Sequence, residues 1–143
     1  MKFIEDKINV DKIIIMVQKE VGDRFKAKEG SKDYNSLSIF LNYYFDIKKI
    51  MDVSRHVFMP KPNVDSIVIE MDKKISKYNV INEEKFFELI KKSFTQKRKT
   101  LRNNLKDYDL DKVSLILEKN GFSLQSRAEQ IPIDVFIEIS NNL

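Results

Sequence analysis

The 143-residue chain contains no cysteine, which excludes disulfides, a thiolate nucleophile and a zinc ribbon. It has one histidine, His56, too few for a metal site built on imidazoles and no basis for a catalytic assignment alone. The three glycines, Gly22, Gly30 and Gly121, lie far apart, so no glycine-rich phosphate loop can be drawn through them. No paired carboxylates and no Ser/His/Asp set stand out as catalytic. Apolar runs are short: none reaches the roughly eighteen residues of a membrane span. The start MKFIEDKIN lacks the apolar stretch that follows a basic start in an export signal. These absences point to a cytoplasmic, reducing compartment and leave cofactor and metal sites without candidates in this chain.

What remains is an ordinary globular composition, 42% hydrophobic and 34% charged, long enough for a sizeable core. The net charge of +4 and the pI near 9.1 matter only where the charge is clustered. Ile13 to Val17 is a continuous apolar run of strand length, which reads as a strand buried on both faces, the pattern of a parallel sheet in an α/β fold. Two further strands are expected at Asp46 to Val53 and Val64 to Met71. If those two pair antiparallel and one flanks the first strand, the first strand's other edge has no partner in this chain.

Helices alternate with these strands. Glu20 to Lys28 carries Val21 and Phe25 four apart, with Gly22 costing about 1 kcal/mol relative to alanine. Leu37 to Phe45 reads as a buried helix capped by Asn35 or Ser36. The stretch Asp72 to Asn82, DKKISKYNVIN, turns polar and marks a junction, giving residues 1–72, a junction over 73–82, and a helical part over 83–143. There Phe86, Ile90, Phe94, Leu101 and Leu105 share one face, so Glu83 to about Leu105 forms one long helix or two joined near Gln96. A further helix follows Asp109 or Asp111 and stops at Asn120 and Gly121. The last starts at Pro132, with Ile133, Phe136, Ile137 and Ser140 inward. The whole is an α/β remnant followed by a small all-helical domain.

Three groups of residues invite a functional reading. In Arg55 to Ser66, RHVFMPKPNVDS, Phe58 precedes Pro60 and Pro62, whose fixed φ makes Met59 to Asn63 a stiff connector. Phe58 is then either a plug for a core or an aromatic platform for a flat ligand. From Lys91 to Lys106 the chain carries Lys91, Lys92, Lys97, Arg98, Lys99, Arg102 and Lys106 and no acid. Six of these face away from the apolar stripe; Lys97 falls among the apolar positions and must snorkel or mark a break. Such a face, with Thr95, Gln96, Thr100, Asn103 and Asn104 beside it, suits a phosphate backbone or is a solvated surface. Gln18, Lys19, Glu20 and Arg24 follow the first strand, where open α/β sheets bind ligands, or simply begin a helix.

Taken together, MVQKEVGDR (Met16 to Arg24), GSKDYNSLS with NYYFDI (Gly30 to Ile47) and FMPKPNVDS (Phe58 to Ser66) resemble the later motifs of the ribosomal RNA adenine N6 dimethyltransferases. FTQKRKTLRNNL (Phe94 to Leu105) and SRAEQIPIDVF (Ser126 to Phe136) resemble the helical C-terminal part of that family. The resemblance implies the C-terminal part of a Rossmann-like, S-adenosylmethionine-dependent methyltransferase sheet of about three strands, then an RNA-gripping helical domain. It implies dimethylation of two adjacent adenosines of small-subunit rRNA during ribosome biogenesis, with Phe58 stacking on the flipped adenine and Pro60 and Pro62 stiffening its loop. Lys91, Lys92, Arg98, Lys99, Arg102 and Lys106 become the RNA-binding residues, and Gln18, Lys19, Glu20 and Arg24 a candidate edge of the site.

The family's glycine-rich cofactor loop, its acidic ribose-binding residue and its Asn-Leu-Pro-Tyr motif would all precede Met1. The family pattern would place Met1 to Asn9 as the helix after that motif, in agreement with the uncapped start, which reads as a chain opening inside a helix. The expectation is therefore a chain without its cofactor-binding half, inactive alone, with rRNA or a pre-30S particle as partner. An edge-paired homodimer would use the free edge of the first strand. A non-catalytic RNA-binding or ribosome-associated module is the alternative.

Overall fold

The computed structural model describes residues 10–74 and 78–143, and the helix expected at the amino terminus lies outside them. Three strands form one sheet: β1 (Lys12–Gln18), β2 (Phe45–Val53) and β3 (Ser66–Lys73), in the order β1-β3-β2. β3 pairs antiparallel with both neighbours, Ile15 opposite Ile69 on one side and Ile47 opposite Met71 on the other. β1 and β2 therefore run in the same direction, the arrangement of an α/β sheet with one reversed strand. A bulge at Lys49/Met51 inserts Ile50 into β2.

Side chains alternate across these strands, and one face makes a core. Ile67, Ile69 and Met71 are fully buried with Phe25, Leu41 and Phe45, and Ile13, Ile15 and Val17 pack against them. The other face differs from the expectation for β1. Ile14 and Met16 are 57% and 52% exposed, because only one side of this sheet is covered among the described residues. On that open face Glu70 sits between Lys12 (3.6 Å) and Lys48 (3.0 Å). Hydrogen bonding to Asp72 and Lys48 holds the Glu70 carboxyl below its usual range, and the same Glu70 contact raises Asp72.

α1 (Lys19–Phe25) follows β1 directly and ends three residues before the expected boundary. α2 (Ser36–Tyr44) opens on a reciprocal cap in which Asn35 Oδ1 accepts from Ser38 N at 3.0 Å and Ser38 Oγ from Asn35 N at 3.3 Å. Two polar side chains on α2 satisfy the carbonyls at the end of α1. Ser38 Oγ donates to Arg24 O, and Asn42 Nδ2 donates to Phe25 O at 3.3 Å.

Beyond residue 82 the chain is helical: α3 (Glu83–Ser93), α4 (Leu101–Asn104), α5 (Leu110–Lys119) and α6 (Ile133–Asn141). Asp109 caps α5, and Asn120 with Gly121 at φ +87° ends it. Their core is built on Phe86, Leu89, Leu101, Leu105, Leu117 and Phe136, and it also takes in Ala27, Tyr34 and Ile39 from before the polar junction. Tyr34 donates its hydroxyl to Ile131 O at 2.9 Å, fastening the α1–α2 turn to the loop before α6.

Gly22 is where α1 lies closest to the sheet. A Cβ there would stand 2.2 Å from Ile67 Cδ1 and 2.6 Å from Ile67 Cγ1, and Ile67 is fully buried with little room to turn. Gly22→Ala gains about 1 kcal/mol of helix propensity but forces Ile67 out of place, an overpacking cost of about 1–3 kcal/mol. The expected result is a lower thermal or urea midpoint, partly restored by Ile67→Val; a midpoint above that of the parent chain would refute this close-packing account.

Candidate nucleic-acid interface

Of the two readings of Glu83 to about Leu105, two helices joined near Gln96 is the one that holds, so the basic segment does not lie on one helix. α3 ends at Ser93, the chain turns from Phe94 to Thr100, and α4 resumes for a single turn. Asn104 braces this break by donating through Nδ2 to Ser93 O at 2.9 Å, at the end of α3, and to Gln96 O at 3.0 Å, a turn carbonyl that also accepts from Lys99 N. Leu101 N and Arg102 N donate to Ser126 O and Leu124 O, both at 2.9 Å, pinning α4 against the loop that follows α5. Asn104, offered by the sequence as a ligand for RNA, serves instead to shape the turn. The one-sided helix face is thus corrected to three positions: Lys91 and Lys92 at the end of α3, Lys97, Arg98 and Lys99 in the turn, and Arg102 and Lys106 on and after α4.

All seven of these side chains are exposed. Lys97 lies in the break, the second of the two readings that its place in the apolar stripe left open. Its Nζ donates to Lys32 O and lies 4.0 Å from the Glu129 carboxylate. Among the described residues the other six make no ion pair, so their charge faces solvent undiminished. Lys91 and Lys92 also line a groove of about 930 Å³ between α2 and α3, floored by Phe40, Tyr44 and Phe87.

The Lys32 turn connects this basic surface to the sheet. Gly30, at φ +86°, donates its N–H to Glu129 O at 2.7 Å, holding the turn against the short 3-10 helix Ala128–Gln130. Lys32 and Asp33 then border a shallow concavity of about 550 Å³ with Gln18, Lys19 and Glu20 at the end of β1, and Arg55, Val64 and Asp65 beside them. Three of the four residues singled out after the first strand line this concavity. The fourth, Arg24, does not; it pairs with Glu20 at 2.9 Å, one helical turn away.

The Phe58 loop rises from the same edge. After β2 the 3-10 turn Arg55–Val57 forms with Ser54 Oγ accepting from His56 N at 3.2 Å. No helix forms from Met59 to Asn63, in keeping with a stiff connector; the Met59–Pro60 bond is cis. Phe58 is half-buried and belongs to neither core cluster among the described residues, so the plug reading finds no support there. Its neighbours Val57 and Met59 are 69% and 98% exposed. What closes the loop is polar, a feature that sequence reasoning missed. Asp65 Oδ1 accepts from Arg55 N at 2.9 Å and Arg55 Nε at 3.1 Å, and Arg55 Nη1 donates to Asn63 O at 2.7 Å. These bonds hold the Asp65 carboxyl below the usual carboxylate range.

An aromatic loop, a polar concavity and a charged turn thus lie in succession along one margin of the molecule. The model of the family described as ribosomal RNA adenine dimethylase matches residues 1–143. The chain belongs to that family. It is 46% identical to the ribosomal RNA small subunit methyltransferase A of Bacillus cytotoxicus, over 99% of this chain and 51% of that protein. It is 44% identical to the protein of the same name from Clostridioides difficile, over 99% and 50%. The chain spans about half the length of these relatives.

Among solved structures, it superposes on a dimethyladenosine transferase from Plasmodium falciparum with a TM-score of 0.75 at 23% identity, covering 96% of this chain and 58% of that one. The 23S rRNA methyltransferase ErmE gives 0.71 at 15% identity, over 95% and 56%. At these identities the likeness shows the fold alone. It is the α/β sheet-plus-helices architecture expected from the sequence.

No helix among the described residues is long and apolar enough to cross a membrane, and no cluster of potential metal ligands occurs among them. Each glycine has a structural use: Gly22 backs onto Ile67, and Gly30 and Gly121 sit in turns at positive φ.

Proposed function

We propose that this chain is the distal part of a cytoplasmic rRNA adenine-N6 dimethyltransferase, carrying one wall of the target-base pocket and the surface that grips the RNA. In this reading residues 1–72 belong to the catalytic domain, 73–82 are the junction and 83–143 bind RNA. The observation that carries it is the placement of the basic turn beside the concavity at the end of β1, with the Phe58 loop on its far border, in a chain that matches the family from end to end.

S-adenosylmethionine supplies the methyl group in the parent enzyme. The residues here bind and orient. An adenine must leave its stack to expose N6, and Phe58 receives its face, a contact contributing about 1–3 kcal/mol per base. Pro60 and Pro62 limit the freedom of that loop, so less order has to be gained on binding. Lys91, Lys92, Arg98, Lys99, Arg102 and Lys106 hold phosphates of a small-subunit rRNA hairpin, free or within a pre-30S particle. Gln18, Lys19 and Glu20 border the site where the base edge arrives.

Binding to a small-subunit rRNA hairpin is expected to weaken steeply with salt. Arg98→Ala and Arg102→Ala should each lower affinity similarly across hairpin sequences and reduce the log–log salt slope by about one. A slope unchanged in both variants would reduce the basic turn to a solvated surface.

Without its cofactor-binding half the chain is inactive alone in this reading. Calorimetric titration with S-adenosylmethionine is expected to show no saturable heat, and 1:1 binding at micromolar affinity would overturn that part of the proposal.

The outer edge of β1 has no ladder partner among the described residues, and Ile14 and Met16 lie exposed beside it. A second copy of the chain offers such an edge a partner. Sedimentation velocity is expected to show a concentration-dependent dimer, which Ile14→Lys with Met16→Lys abolishes; a monomer throughout the micromolar range would exclude edge pairing.

A further inference from the structure

We propose that Arg55 and Asp65 form a clasp that positions Phe58, and that the closed clasp sets how well the loop stacks a flipped adenine. The inference rests on the reading of Phe58 as the stacking residue. Its basis is the way the loop is held. Phe58 lies outside both cores, and Val57 and Met59 on either side of it are exposed, so apolar packing contributes little at the loop tip.

Polar bonds at the two ends of the loop take its place. Asp65 Oδ1 receives both the backbone N–H of Arg55 and its Nε–H, at 2.9 and 3.1 Å. The guanidinium reaches on to Asn63 O at 2.7 Å, so one side chain fastens the loop's entry to its exit. A further bond, Lys19 N to Asp65 O at 3.0 Å, ties the exit to the residue after β1. The loop is thereby fixed relative to the concavity that Gln18, Lys19 and Arg55 line. Charge-assisted bonds of this geometry are directional, which packing against a half-buried ring is not.

The arrangement gives Arg55 a different role from the exposed basic residues. Its guanidinium is engaged by Asp65 and Asn63, so it acts as a positioning residue through Phe58 and is not a ligand for phosphate. Lysine at this position would keep the charge but lose the fork that spans two acceptors.

The test uses the intact chain and a small-subunit rRNA hairpin with 2-aminopurine replacing one loop adenine. Stacking on Phe58 is read as fluorescence quenching at saturating protein, with Phe58→Ala defining the part that depends on the ring. Asp65→Ala and Arg55→Ala are expected to lose roughly half or more of that quenching, with the salt slope of hairpin binding unchanged. Asp65→Asn keeps an acceptor oxygen for both Arg55 donors and is expected to restore most of the quenching. Circular dichroism melting checks that the variants fold.

Full quenching in Asp65→Ala, or a salt slope reduced by about one in Arg55→Ala, would overturn the clasp and make Arg55 a free or phosphate-binding side chain. If the parent chain itself shows no quenching dependent on Phe58, the stacking reading falls and the clasp falls with it. Quenching in the parent chain that survives loss of the clasp refutes the clasp alone.

Discussion

Helix α2 faces two cores at once, and the rest of the chain depends on that. Leu41 is fully buried against the sheet with Ile67 and Ile69, while Ile39, two residues earlier, is buried among Phe86, Leu89 and Phe136 of the helical part. Burying either side chain fully is worth about 1.5–3 kcal/mol, so a rotation of this helix relieves one core only by opening the other. The reciprocal Asn35–Ser38 cap fixes where the helix begins, and Ser38 and Asn42 fix it against α1. With α2 locked, the turn before it is locked too, since Tyr34 and Gly30 bond to Ile131 and Glu129. Lys32 sits in that turn and receives Lys97. The relative placement of concavity and basic turn is thus a consequence of packing two steps removed from either.

Much of this was legible as periodicity. One continuous apolar run and two segments rich in β-branched and apolar residues pointed to the three strands, and the 3.6-residue stripes to the helices, because those patterns state which atoms must leave water. The misreadings are equally physical. Ile13 to Val17 is apolar on both faces, yet only the Ile13, Ile15 and Val17 side is covered among the described residues; a run of side chains says what seeks burial, and the partner has to be supplied by other chain. The break in the basic helix had one signal, Lys97 in the apolar stripe. The agent of the break, Asn104, had none, since an asparagine bonding two carbonyls 11 and 8 residues earlier leaves no trace in any helical period. The Arg55–Asp65 bond was invisible for the same reason: a contact across an irregular loop is set by the path of the loop.

Charge distribution follows a similar division. On the open sheet face cations and anions interleave, Lys12 pairing with Glu70 and Asp72, and Lys48 with Glu70. Around the break, among the described residues, the basic segment makes one ion pair, Lys97 with Glu129. A helix broken at Phe94 spreads its cations over more than one direction, where a straight helix would present a single stripe about as wide as one groove wall. That geometry suits a folded RNA, whose phosphates approach from several sides, better than the straight backbone of a single duplex face.

Stacking on one ring constrains less than catalysis needs. In the proposed reading, a base stacked on Phe58 would be held in its plane and left free to turn within it, so N6 would point in many directions at nearly equal energy. In-line transfer requires one direction, held to a fraction of an ångström. The missing constraint has to come from hydrogen bonds to the base edge and from a second wall facing the ring. Gln18 and Lys19 line the concavity at the carboxyl end of β1, and the proposed function assigns that rim to the base edge because strand ends in α/β sheets open onto the ligand side. A loop that moved independently of that rim would undo the alignment each time it shifted. The bond from Lys19 N to Asp65 O joins loop and rim through the backbone itself, so in the proposed reading the plane of the base and the groups that orient it would move as one body.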